Sequence, residues 1–229
     1  MARAAAAING AVHEPVTARR AVVAAAFAEP QGLGGDNFEH ADLLIERAIV
    51  ETADRQFERA RATLEEATAM SQRLGFAPHS GMGRALAEAE TELHLARGDP
   101  AAALARLDTF QAAAGPGAAE HRPPSLLARA LAAAGRTEAA AHLIGQTLAA
   151  IEADPDRSYR ASLEAALLRL RGDMRRAAGD CPGAIGALER AAALYAKLHV
   201  STSPQRLQTE RALVECRRSA AAVPAGSKP

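Results

Sequence analysis

Tryptophan is absent from the chain, and aromatic residues of all kinds make up only 3% of its 229 positions. β-branched residues are sparse as well. Strands draw on both classes, so their scarcity argues against a sheet-rich fold. Lysine occurs only as Lys197 and Lys228, and charge of neither sign predominates, with 27 basic and 27 acidic residues. A nucleic-acid binder would show a basic excess, so none is expected as a partner. The heavy use of Arg over Lys reads first as the composition of a GC-rich, bacterial genome and second as Arg-based recognition. Cysteine occurs twice, as Cys181 and Cys216. The pair fits no zinc spacing and no CxxC motif, and is expected to be two reduced thiols. No apolar run approaches the roughly 18 residues of a membrane span. The N-terminal alanine run is too short and too weakly apolar for a signal peptide. The expected location is cytoplasmic, with no membrane partner.

What is abundant is Ala and Leu, the best helix formers. Apolar residues reach 48% and charged residues 24%, a globular balance. Helical periodicity runs through most of the chain, cut by Gly and Pro. Pro15 opens a helix to about residue 28, and a loop follows at 29–35. Further helices are expected over 40–53, 57–74, 84–97, 101–113, 125–134, 137–153, 159–178 and 183–198. Residues 76–83, with Gly81 and Gly83, read as a loop; Pro204 starts a final polar helix. The domain organisation expected is a leading helix and loop over 1–35, a helical domain over 36–218, and a disordered tail over 219–229.

One pattern recurs at the turns. Gly98 is followed by Ala103, Leu107 and Phe110; Gly135 by Ala140 and Ile144; Gly179 by Ala184, Leu188 and Ala191. The first hairpin carries Ala60, Leu64 and Ala67, with Ala48 ahead of its turn. A small residue five positions after a turn allows two helices to cross closely. A large one a turn later fills the space beside it.

This pattern resembles the tetratricopeptide repeat family, in degenerate form, over about 42–198. The family's first-helix aromatic positions carry residues such as Leu168 and Arg175, and the unit is 37 to 44 residues long. Longer units are similar to those of sensor arrays in large bacterial regulators. The resemblance implies an all-α fold: a right-handed α-solenoid of about four helical hairpins with a C-terminal capping helix. It also implies a protein-binding groove lined by the first helix of each hairpin. Those positions are Asp42, Ile45, Ile49 and Thr52; Glu88, Glu92 and Leu95; Arg122, Ser125 and Arg129; and Arg169, Asp173 and Arg176. Where co-chaperones of the family hold a terminal carboxylate with Lys and Asn, this chain has Ile49, Glu92, Arg129 and Asp173, so that clamp is not expected.

The set runs from acidic to Arg-rich. Residues 36–75 hold nine acidic and five basic side chains, residues 156–218 seven acidic and twelve basic. An extended partner with an acidic segment suits the Arg end. Head-to-tail association into a homo-oligomer, or an ordinary solvated face, accounts for the same charges. No phosphate loop, HExxH or GxSxG occurs, and the seven histidines are scattered. No enzymatic activity, cofactor or metal is expected. Two functions remain: a scaffold for protein–protein interaction, or the sensor part of a larger bacterial kinase- or ATPase-type regulator.

Overall fold

The computed structural model describes residues 16–28, 35–116, 120–156, 160–199, 201 and 203–222. Among these residues every regular element is helical and none is a strand. The chain folds as two compact units, Met1–Gly135 and Arg136–Pro229, and the boundary falls at the turn of the third expected hairpin.

In the first unit α1 is Val16–Ala28, α2 Phe38–Ala53, α3 Phe57–Arg73, α4 Gly81–Ala96, α5 Pro100–Ala113 and α6 Pro124–Ala133. The starts follow from capping chemistry. The Asn37 side chain accepts from the His40 N–H at 2.8 Å, and Asp99 accepts from the Ala102 N–H at 3.0 Å ahead of Pro100. Helix α4 starts three residues before the expected 84, so Gly81 and Gly83 are helical rather than looped. Ser80 caps it, accepting from the Gly83 N–H at 3.2 Å. Gly83 is required there, because a Cβ would sit 2.0 Å from the Pro78 carbonyl oxygen.

Helices α2 and α3 form one hairpin, and α4 and α5 the next. The first helices α2, α4 and α6 lie in sequence beside one another, α2 against α4 and α4 against α6. The core between α2, α3 and α4 holds Leu44, Ile45, Ala48, Ala60, Leu64, Ala67, Leu86, Ala89 and Leu93.

The second unit contains α7, Thr137–Ala153; α8, Ala161–Ala177; α9, Cys181–Leu198; and α10, Pro204–Ala222. Asp180 caps α9, accepting from the Gly183 N–H at 2.8 Å. Helix α7 packs on α8, α8 pairs with α9, and α10 packs along α9. Helix α10 runs past the expected end at 218, because alanines at 220–222 extend it; the remainder of the expected tail lies outside the described residues. The expectation of two reduced thiols is corrected here. Cys181, the first residue of α9, is disulfide-bonded to Cys216 of α10, with their Cα atoms 4.8 Å apart. The antiparallel course of α9 and α10 joins residues 35 apart, a pairing that local spacing does not reveal. Such a bond persists in oxidising surroundings and opens in reducing ones.

The turn pattern is borne out in burial. Ala60, Ala103, Ala140 and Ala184 are each 0% exposed, and Leu64, Leu107, Ile144 and Leu188 no more than 2%. The turns close alike. The Gly98 N–H donates to the Leu95 carbonyl and Asp99 to His94; Gly179 donates to Arg176 and Asp180 to Arg175. The first hairpin does the same with Arg55 to Thr52 and Gln56 to Glu51, and Arg55 takes φ +60° where the others use glycine. Seven residues before each turn stands a buried small residue: Ala48, Thr91, Ala128 and Gly172. Thr91 fits because its hydroxyl donates to the Ala87 carbonyl at 2.6 Å.

At Gly172 helices α8 and α9 approach closely. A Cβ there would lie 2.6 Å from Cγ and Cδ2 of Leu188, which is itself fully buried. Gly172→Ala is therefore expected to destabilise the protein by roughly 1–3 kcal/mol, as overpacking does. The check is a urea unfolding curve. An unchanged midpoint would mean that the two helices do not meet at this glycine.

Candidate functional site

The side-by-side run of α2, α4 and α6 leaves an open groove of about 830 Å³ in the first unit. Eight of the ten positions expected there line it: Asp42, Ile45, Ile49, Thr52, Glu88, Glu92, Ser125 and Arg129. They converge because residues three or four apart share a helix face and the three first helices are neighbours. Leu95 is half-buried and does not line the groove. Arg122 faces elsewhere, held by Glu120 at 2.6 Å and by Asp108.

Sequence reasoning missed several lining residues. Glu46, Ala85 and Ala89 sit one turn from positions that it named, so the helical period contained them. Arg55 and Phe57 come from the first hairpin's turn, where no period applies, and the Arg55 guanidinium stands 5.7 Å over the Phe57 ring. Pro123 and Leu126 come from the start of α6.

The floor is apolar and continuous with the core: Ile45 and Ala89 belong to it, and Ile49, Phe57 and Ala85 pack against it. The walls are charged and mostly self-paired. Arg129 reaches across from α6 to Glu92 on α4, with Nη2 3.0 Å from Oε2. Glu88 accepts from Arg84 at 2.8 Å. Both pairs are well exposed, so each contributes at most about 1 kcal/mol and opens readily.

Asp42 differs. Its carboxylate is half-buried, no cation lies within ion-pair distance among the described residues, and desolvation pushes its pKa up. On the same face of α2, the Thr52 hydroxyl is buried with no hydrogen-bond partner among the described residues.

The expected positions of the second unit share one face of α8. Asp173 lies 3.4 Å from Arg169 and 3.7 Å from Arg176. Arg169 also donates to Gln208 at 2.8 Å and Arg176 to Glu215 at 3.0 Å, both on α10. Each of these contacts spans 39 residues, close to the 37 between Glu92 and Arg129. Helix α10 thus meets α8 as one first helix meets the next. Arg169 and Arg176 are engaged within the unit rather than left open to an acidic partner.

A second hollow, of about 410 Å³, gathers His79, Arg84, Glu120, His121 and Arg122. The Arg122 hydrogen bond holds the Glu120 pKa down, so this carboxylate is occupied. No cluster of three potential metal ligands occurs among the described residues. No helix among them is long and apolar enough to cross a membrane.

No protein-family model matches the chain. No curated protein sequence matches it. Its fold is similar to a crystal structure from Podosopora anserina, described as a kinesin light chain with nearly identical TPR-like repeats. The two are 21% identical, with TM-score 0.51 over 79% of this chain and 88% of that one. A single-residue variant of the same protein gives TM-score 0.52 at 21% identity, over 81% and 90%. The fold is therefore that of TPR-like helical repeats, as the turn pattern implied.

Asp42 generates a stability test. Well below the ordinary value of 3.8 the carboxyl is protonated in folded and unfolded chains alike and costs nothing. As pH rises from 3.8 toward the raised folded pKa, the folded state keeps a proton that the unfolded state has released, and Asp42 becomes progressively destabilising until it ionises in the folded state too. Asp42→Asn is expected to melt above the parent at pH 7, with the gap shrinking toward pH 3. A variant that melts lower at pH 7 would show that the carboxylate is satisfied.

Proposed function

We propose that the chain is a non-enzymatic interaction scaffold that binds a protein or peptide through the groove on α2, α4 and α6. TPR-like repeats generally serve protein interactions, because stacked hairpins expose a continuous face of first helices. One observation carries the reading for this chain. The face expected from the repeat register coincides with an apolar-floored groove whose wall carries Asp42, a carboxylate with no ion-pair partner among the described residues. Unmet hydrogen-bonding capacity beside apolar surface is what a recognition site offers and a structural face avoids.

The scaffold reading has no need of cofactor or metal. Its chemistry is burial of apolar side chains on Ile45, Ile49 and Leu126, with polar groups on the walls setting register.

A site-specific photo-crosslinker tests it. A benzophenone amino acid at Ser125, in the groove, is expected to give a discrete adduct in cells. The same group at Thr109, on exposed α5 surface away from the groove, is expected to give none. Equal labelling from both positions, or labelling from Thr109 alone, contradicts the groove as the binding face.

A further inference from the structure

We infer that the groove takes an extended basic–apolar segment of a partner protein, seating a Lys or Arg side chain on Asp42. This rests on the reading of the groove as the binding face, and it names the chemistry of the occupant.

Charge complementarity carries the argument. Six charged side chains line the groove: Asp42, Glu46, Glu88 and Glu92 against Arg55 and Arg129. The basic groups are both engaged, Arg129 by Glu92 and Arg55 over Phe57. An anionic ligand would have to displace those contacts and then meet an acidic excess. A cationic side chain meets Asp42 with no partner to displace among the described residues. Burial that leaves a carboxylate unpaired is unfavourable by itself. An incoming ammonium or guanidinium removes that penalty and gains a charge-assisted hydrogen bond.

Spacing sets the length. Asp42 and Thr52 are ten residues apart on α2, about 15 Å along the helix axis at 1.5 Å per residue. An extended peptide covers that distance in about five residues. Its cation would sit at the Asp42 end and its backbone would run along α2 toward the Thr52 end. Alternate side chains would meet the floor of Ile45, Ile49, Ala85 and Ala89.

The test is selection of random 12-residue peptides displayed against the purified full chain. Selected peptides are then synthesised, labelled and titrated by fluorescence anisotropy. The expected result is enrichment of Lys or Arg flanked by Leu, Ile or Val. Affinity should fall about tenfold or more on Asp42→Asn, the loss of one charge-assisted contact. Because that variant is expected to melt above the parent, lost binding cannot be assigned to unfolding. Enrichment of acidic peptides, or basic peptides that bind Asp42→Asn unchanged, overturns the inference while leaving the groove as a binding face. Failure of every peptide, together with a concentration-dependent dimer that Asp42→Asn abolishes, assigns the groove to a second copy of this chain and also overturns it. Peptides that bind well but survive a groove-filling Ser125→Trp overturn both this inference and the scaffold reading.

Discussion

Close helix crossing is the constraint on which the rest of the structure depends. Two helices joined by a turn can approach closely only if small side chains stand at the contact. This chain puts a buried small residue seven positions before each turn and a fully buried alanine five positions after. At Gly172 the approach leaves no room for even a methyl group beside Leu188. The scarcity of aromatics follows from the same requirement: packing made from Ala, Leu and Gly has little space for a ring. Much of the helix stability then comes from propensity and from packing of many small contacts rather than from a few large anchors.

The crossing also decides what is exposed. When second helices pack behind, first helices stand next to first helices, and α2, α4 and α6 present one face of the first unit. Ion pairs at near-repeat separation, Glu92 with Arg129 in one unit and Arg176 with Glu215 in the other, tie neighbouring first-helix positions together. These exposed pairs add little stability, yet they satisfy the charges that would otherwise compete for ligands. What remains unsatisfied there among the described residues, Asp42 and Thr52, stands out for that reason.

The fold was legible because its rule is local. Turn residue, alanine at +5 and a large residue at +4 from there can all be read along one helix, and each such position proved buried. Most of the first unit's groove was legible too, since Asp42, Ile49, Glu88 and Ser125 follow from helical period plus repeat register. Features made by tertiary juxtaposition were not. The Cys181–Cys216 bond joins two helices whose register is set by packing. Arg169 and Arg176 read as open basic groups until α10 supplied Gln208 and Glu215. Gly81 and Gly83 read as loop because glycine weakens helices, whereas Ser80 caps α4 through the Gly83 N–H and the Pro78 carbonyl leaves room for no side chain at that position. Arg55 at positive φ occupies a position that the other three turns give to glycine, so composition did not mark it.

Hydrogen exchange of the chain, free and saturated with its bound peptide, tests the central claim most directly. The account predicts slowed exchange in α2, α4 and α6, with the amides around Asp42 and Thr52 slowed most and α5 unchanged. Slowing confined to α3 and α5, or to α9 and α10, would contradict it.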